Sequence, residues 1–186
     1  MKSFIAATFV AAVAALPAPQ VATTEQSSFG GLALRSASPI HFGSINANGL
    51  GFWIHKNTST YTEAGTIAEP TNPYTSFTLN SEVGTLGLDT VVPGGQQVYV
   101  DYSPDGQAAL KFTQIHSVNT GSNGVVTGFS IVDENLLFEG AGFVACPEED
   151  AYKIYAASRG TNDACLGFSF RTVSGGETEP VWSYSK

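Results

Sequence analysis

The two cysteines are the residues whose type and spacing most directly suggest a chemical role. Cys146 and Cys165 lie in one stretch, GFVACPEEDAYKIYAASRGTNDACLGF (142–168), which also contains acids, tyrosines and an arginine. A redox motif would need C-x-x-C spacing, which is absent. A thiolate zinc site would need more ligands, and the three histidines are scattered far from both cysteines. The choice between these sites and a disulfide depends on the compartment in which the protein works.

The start of the chain predicts secretion. Residues 1–15, MKSFIAATFVAAVAA, combine the charged Lys2 with an apolar run, and small residues precede Leu16-Pro17 as at a signal-peptide cleavage site. The run is too short to cross a bilayer. We therefore expect a secretory signal peptide at 1–15, a flexible leader at 16–28 and a single β domain at 29–186.

An extracellular location favours the disulfide over the other cysteine chemistries. Two cysteines in an oxidising compartment normally pair. Cys146 and Cys165 are 19 residues apart, and closing a loop of that size stabilises a fold by roughly 3 kcal/mol in the chain-entropy model. We therefore predict a structural Cys146–Cys165 disulfide.

Composition and charge restrict the classes of partner. The chain has 186 residues, with 16 acidic against 8 basic side chains and a formal net charge of −8. A chain this acidic, without a Lys/Arg cluster, is repelled by nucleic acid and by anionic membranes. We expect neither as a partner, and we expect no cofactor. The oligomeric state is left open by the sequence.

The hydrophobic pattern predicts an all-β fold. From Phe29 onward, short runs of alternating apolar residues are separated by turn residues every ten or so positions. The clearest hairpin is QQVYVDYSPDGQAALKFTQI (96–115), with its turn at Pro104-Asp105-Gly106. We predict a compact single-domain β-barrel or β-sandwich of short antiparallel strands. Self-similarity among GSINANGLGFWI, FTLNSEVGTLGL and FSIVDENLLFEG makes a β-trefoil the alternative.

Sequence motifs of known catalytic sites are absent. There is no G-x-S-x-G elbow, H-E-x-x-H, P-loop or dinucleotide-binding glycine fingerprint. The remaining catalytic hypothesis is glycoside hydrolysis by two carboxylates. Acids in turns and at loop ends are by default solvated surface residues, so we predict that the protein is not an enzyme and contains no metal site. The available carboxylates are Glu134, Glu139, Glu148, Glu149 and Asp150.

Two further residues are candidates for surface recognition. Exposed aromatic rings can cover the apolar faces of sugars, and Trp53 is the first candidate for such a carbohydrate contact. Asn57-Thr58-Ser59 is a complete glycosylation sequon in a Ser/Thr-rich stretch. We therefore predict an N-linked glycan on Asn57 and a surface position for that loop.

The C-terminal third resembles a known family. The run GFSIVDENLLFEGAGFVACPEEDAYKIYAASRGTNDACLGFSFRTV is similar to secreted fungal cell-wall proteins of the PhiA type, which are also met as IgE-binding antigens. The same skeleton resembles the C-terminal domain of PIR-type wall proteins, and SPIHFGSINANGLGFWI (38–54) is a second, weaker block. The resemblance implies that Cys146 and Cys165 are the family's paired cysteines. It also implies core positions at Phe129, Ile131, Phe143, Tyr152 and Ile154.

The sequence and this resemblance together predict a non-catalytic, secreted structural or interaction protein of the fungal cell wall. The expected partner is wall polysaccharide or a host protein. The alternative function is that of a secreted effector, elicitor or allergen-like antigen recognised by a host. A polysaccharide hydrolase is the third hypothesis.

Overall fold

A computed structural model describes residues 28–68, 74–159, 164–174 and 181–184. The expected signal peptide and all of the leader except Ser28 lie outside these residues. The regular structure is almost entirely strand, which confirms the all-β prediction. In the part of the chain that is described, no helix is long and apolar enough to cross a bilayer.

The elements follow one another as short strands joined by tight turns. They are β1 (Phe29–Leu34), β2 (Gly43–Asn48), β3 (Gly51–Ile54), β4 (Thr60–Tyr61), β5 (Phe77–Asn80), β6 (Thr85–Leu88), β7 (Gln96–Asp101), β8 (Ala109–Phe112), β9 (Gly124–Val125), β10 (Phe129–Val132), β11 (Asn135–Phe138), β12 (Phe143–Glu148), β13 (Ala151–Ala156), a 3-10 turn (Ala157–Arg159), β14 (Leu166–Ser174) and β15 (Ser183–Tyr184).

Strands β1, β5, β6, β10, β11 and β14 close into a barrel. β1 pairs antiparallel with β14 over its whole length, and the ring continues through the β1–β5, β5–β6, β10–β11 and β11–β14 pairs. β6 meets β10 through the Thr85–Thr127 bridge and a 3.0 Å hydrogen bond from the Phe129 amide to the Gly84 carbonyl. The barrel is therefore sealed by strands from opposite ends of the domain.

Three hairpins form a triangular cap on this barrel. They are β2–β3, β7–β8 and β12–β13, and the second is the hairpin predicted at 96–115. Their second strands pair with one another: β3 with β8, β8 with β13, and β13 with β3. A six-stranded barrel with a triangular cap of three hairpins is the strand arrangement of a β-trefoil, so these pairings agree with the alternative architecture.

The barrel core repeats three times. Equivalent phenylalanines face apolar partners across each barrel hairpin: Phe77 opposite Leu88, Phe129 opposite Phe138, and Phe170 opposite Ala33. Two positions farther along, the facing pairs are Leu79 with Leu86, Ile131 with Leu136, and Thr172 with Gly31. Neither residue of the Thr172–Gly31 pair has a large side chain. The Phe170 ring fills this part of the core instead, since a Cβ on Gly31 would lie 2.4 Å from it.

The repeat units differ from the segments that the sequence suggested. FTLNSEVGTLGL and FSIVDENLLFEG are equivalent barrel hairpins, β5–β6 and β10–β11. GSINANGLGFWI is instead the cap hairpin β2–β3. The third barrel hairpin is formed by β14 and β1, which come from opposite ends of the chain and so leave no continuous segment to compare.

All but one of the implied core positions are buried or half-buried. Phe129, Phe143 and Ile154 have at most 2% of their surface exposed, and Tyr152 is half-buried against the core. Ile131 is 38% exposed, so its assignment to the core was wrong. It lies beside the tight β10–β11 turn and lines a groove next to the end of β14.

The last described segment is held in the core by its own polar network. Tyr184 in β15 is fully buried, and its amide donates to the Gln96 side-chain oxygen at 2.7 Å. The Gln96 amide group donates in return to the Tyr184 and Thr113 carbonyls, both at 2.9 Å. The Tyr184 hydroxyl accepts from the Ser76 amide at 2.9 Å. These bonds satisfy polar groups that would be costly to bury alone, and they fix the backbone at Ser76.

The predicted disulfide is present. Cys146 of β12 is bonded to Cys165, which directly precedes β14, with the two Cα atoms 4.1 Å apart. The bridge packs with Ala109, Val144 and Tyr155 in a small apolar cluster outside the main core. It therefore ties the cap to the strand that seals the barrel.

Removal of this bridge should lower the free energy of unfolding. For the double variant Cys146→Ala/Cys165→Ala we expect a loss of about 3 kcal/mol, because the unfolded chain regains the entropy of an open loop. Urea unfolding followed by tyrosine and tryptophan fluorescence measures this loss. A reductant should destabilise the wild type by a similar amount and leave the double variant unchanged; equal sensitivity of both proteins would contradict the account.

Candidate functional site

Trp53, the sequence candidate for carbohydrate contact, is covered. Only 7% of its surface is exposed, and its indole nitrogen donates to the Asn48 carbonyl at 2.9 Å. The ammonium groups of Lys56 and Lys153 lie 4.2 and 5.3 Å from the centre of its ring. This is a cation–π arrangement that buries the ring in the cap. The expectation of an open aromatic face at Trp53 is therefore corrected.

The acids proposed for glycoside hydrolysis lie in exposed turns. Glu148 and Glu149 pair with Lys153 and Lys56, each at 3.7 Å, and thereby close the surface above Trp53. Glu134 pairs with Arg171 in a different hairpin. Glu139 and Asp150 are also exposed. These are surface ion pairs and solvated carboxylates, which contribute little to stability.

Burial raises the pKa of the Tyr184 phenol in β15, and the other shifted pKa values belong to residues of the cap hairpins. Burial opposes ionisation of Asp101, but hydrogen bonds from Lys111, at 2.8 Å, and from Ser103 outweigh it and lower the pKa of its carboxyl. The bond with Asp101 raises the pKa of Lys111. Burial raises the pKa of the Tyr99 and Tyr155 phenols. Asp101 lies in β7 and Lys111 in β8, so their ion pair joins the two strands of the β7–β8 hairpin.

The sequon lies on the surface, as its sequence predicted. Asn57 is exposed, and its backbone carbonyl accepts a 2.9 Å hydrogen bond from the Asn48 side chain. The following Thr58 hydroxyl lies 3.1 Å from the Thr75 hydroxyl. The loop is therefore anchored through its backbone and its second residue, and the glycan on Asn57 stays a prediction.

A groove opens in the barrel wall where β1 changes partners. Near its end β1 pairs with β2, at Leu32–Ser44 and Ala33–Gly43, and at its first residue it pairs with β5, at Phe29–Phe77. Between these registers, within the described chain, Gly30 and Gly31 pair only with β14. We call the resulting opening the β1–β2 groove, and its volume is about 410 Å³. It is lined by Gly30, Gly31, Leu32, Ser44, Ile45, Asn46, Tyr74, Thr75, Ser76, Val173 and Ser174.

The described lining of this groove is partly apolar, partly polar and uncharged. It contains hydroxyl and amide groups beside Leu32 and Val173, with Tyr74 61% exposed, and none of the described lining residues is acidic or basic. Its volume is within the usual range for small-ligand sites. Such a mixture suits a neutral ligand that has both hydroxyl groups and apolar faces.

Two side-chain oxygens in the groove walls have no hydrogen-bond partner among the described residues. They are Oδ1 of Asn46 and Oγ of Ser76, both shielded from solvent. The other end of each residue is fixed, because the Asn46 amide donates to the Lys56 carbonyl at 2.8 Å and Ser76 is held by Tyr184. Buried polar atoms without partners carry a desolvation cost. A hydrogen-bond donor that reached either oxygen would offset this cost.

Gly30 keeps the groove open. A Cβ at this position would point between the Thr75 and Val173 carbonyls, at 3.9 and 4.0 Å, and would meet nothing closer. The missing side chain is therefore part of the free volume, which the Cβ of a larger residue would enter without a clash. The signal in the sequence is the Gly-Gly pair inside the strand FGGLAL, since glycine in a strand often marks a close approach by another group.

A second groove lies on the other side of the end of β14. It has a volume of about 460 Å³ and shares Val173 and Ser174 with the β1–β2 groove. Arg171 stands in it, bonded to Glu134 and donating to the Asp133 carbonyl at 3.0 Å. We call it the β14 groove; it is lined by Ser28, Phe29, Ile131, Glu134, Arg171, Thr172, Val173 and Ser174.

Comparison with known proteins assigns the chain to a family. The family model of PhiA-like secreted proteins matches residues 29–185. The chain belongs to the PhiA-like secreted protein family. It is 30% identical over 171 residues to the cell wall protein phiA of Emericella nidulans, with 86% of each chain covered. It is also 30% identical over 160 residues to an uncharacterized secreted protein of Arthroderma benhamiae, covering 76% of this chain and 77% of that one. No solved structure matches the chain at a significant level.

Membership of this family confirms the resemblance seen in the sequence and identifies the chain as a secreted protein. The paired cysteines that the resemblance implied are bonded. The β1–β2 groove was not anticipated, because its walls come from β1, β2, the residues before β5 and the end of β14. These four segments are far apart in the sequence and meet only in the folded chain.

Substitution of Trp53 should affect stability and leave ligand binding intact. For Trp53→Ala we expect a loss of about 3 kcal/mol in the free energy of unfolding, because a buried indole and its cation–π contacts disappear. Chemical denaturation measures this loss, with Tyr102→Ala, at a 38% exposed aromatic, as the control expected to lose less. An unchanged stability together with reduced retention on polysaccharide would instead make Trp53 a contact residue.

Proposed function

We propose that this protein is a non-catalytic component of the fungal cell wall that binds neutral wall polysaccharide in the β1–β2 groove. The observation that carries the proposal is the uncharged, amphipathic lining of a groove that Gly30 holds open. The similarity to a protein named as a cell wall protein supports the location.

The chemistry of the groove favours a sugar chain over other ligands. Pyranose rings have apolar faces, which exposed Tyr74 and the aliphatic Leu32 and Val173 can cover. Their hydroxyl groups can donate to the unpaired oxygens of Asn46 and Ser76. A charged ligand would find no countercharge in the lining and would also lose its hydration there.

The arrangement of acids supports a binding role without cleavage. None of the described residues that line the groove carries a carboxylate. The carboxylates of Glu134, Glu148 and Glu149 are bonded to basic side chains on the surface. Hydrolysis of a glycosidic bond requires an acid and a second carboxylate on either side of that bond.

A retention assay with a groove-filling variant tests the proposal. We expect the mature protein to be retained on at least one of insoluble β-glucan, chitin and mannan, with no soluble sugar released. Gly30→Val should abolish retention, because the new side chain occupies the groove where a Cβ meets no clash. Gly167→Val is the matched control, since its Cβ would also lie in open space, 4.0 Å from Arg35.

Each other result of this assay contradicts a stated part of the proposal. Retention of Gly30→Val at the wild-type level would exclude the β1–β2 groove. Release of oligosaccharide would contradict the non-catalytic role. Failure of the wild type to bind any of the three polymers, with the protein in the medium and absent from a salt-washed wall fraction, would favour a host-directed role.

A further inference from the structure

The two grooves adjoin at the end of β14, where Val173 and Ser174 line both of them. Val173 is 42% exposed and is paired with Gly30, the residue that opens the first groove. Val132 of β10 is 51% exposed and continues the apolar surface on the far side.

Strand alternation explains why these residues share a face. In β1 the odd-numbered residues Phe29, Gly31 and Ala33 are buried and the even-numbered ones point outward. The pairings Leu32–Arg171 and Gly30–Val173 therefore put Arg171 and Val173 on the same outer face. Asn135 is paired with Arg171, and Val132 with Asn135, so the face continues across β11 to β10.

The extent of this face exceeds a single sugar ring. It crosses five strands in the order β2, β1, β14, β11, β10. Four strand spacings of ~4.8 Å give a length of about 19 Å. A ligand confined to the β1–β2 groove, which spans β2, β1 and β14, would use about half of it.

We infer that one polysaccharide chain runs across both grooves, over Val173, so that the protein recognises an internal stretch of a neutral polymer and not a chain end. This inference rests on the proposed function and adds the β14 groove to it. Arg171 is the residue that would hold the chain there. Its guanidinium has five donors, and the bonds to Glu134 and Asp133 fix its position for hydroxyl groups of the sugar.

The inference predicts that affinity rises with the length of the ligand. Titration calorimetry would use purified oligosaccharides of two to eight units from β-1,3-glucan, chitin and mannan. For the wild type we expect the longest members of one series to bind at least tenfold more tightly than the disaccharide, because only they reach the second groove.

Arg171→Met should remove this length advantage and leave binding of the short members unchanged. Arg35→Met is the matched control, because Arg35 also donates to a backbone carbonyl, that of Gly167 at 2.6 Å, and lines neither groove. Thermal unfolding of both variants checks that they are folded. An affinity that is independent of length, or a length advantage that survives in Arg171→Met, would overturn the inference.

The failure of the inference differs from a failure of the proposed function. If short and long oligosaccharides bind equally and Gly30→Val abolishes both, the β1–β2 groove is the whole site and the inference is wrong. If Gly30→Val binds as the wild type does, or the wild type binds no oligosaccharide of any length, the proposed function is also wrong.

Discussion

The pairing of β1 with β14 is the constraint on which the rest of the structure depends. It joins residues 29–34 to residues 169–174, so the barrel closes only when the two ends of the domain meet. β1 must also pair with β2 at one end and with β5 at the other. A strand that changes partners along its length leaves a gap between them, and in this protein that gap is the β1–β2 groove.

The three-fold repeat shows why the groove forms at this position. The barrel hairpins place Thr85-Leu86 and Asn135-Leu136 at the positions equivalent to Gly30-Gly31. In those two repeats a leucine fills the core and a side chain occupies the outer face. In the β14–β1 hairpin Phe170 supplies the bulk from the opposite strand, and the outer face of β1 at Gly30 is bare backbone. The loss of symmetry therefore creates an opening on the surface without leaving a hole in the core.

The cap and the last described strand, β15, are both connected to strands or residues that line the β1–β2 groove. The disulfide joins β12 of the cap to the start of β14, and Tyr184 fixes the backbone of Ser76 through its hydroxyl. The Lys56, Trp53 and Lys153 stack seals the cap itself. The groove therefore lies between strands that are tied to the core and to the cap.

The sequence predicted the local structure well and the long-range arrangement poorly. Alternation between polar and apolar residues, with a Pro-Asp-Gly turn, was enough to predict the β7–β8 hairpin. The expected extracellular location was enough to predict the disulfide. Trp53 could not be assigned correctly, because Lys153, one of the residues that cover it, is 100 positions away and reaches it only through the β13–β3 pairing. The groove depends on four separate segments, and only the Gly-Gly pair in β1 gave a local sign of it.

The most direct test of the account is a nitrogen-15 NMR titration of the wild-type protein with hexasaccharides of β-1,3-glucan, chitin and mannan. The account predicts that one of them shifts the backbone amides of Gly30, Gly31 and Ser76 and the side-chain amide of Asn46, while the amide of Tyr155 in β13 stays in place. Shifts confined to the β7–β8 and β12–β13 hairpins, or no shift with any of the three sugars, would contradict the assignment of the β1–β2 groove as the binding site.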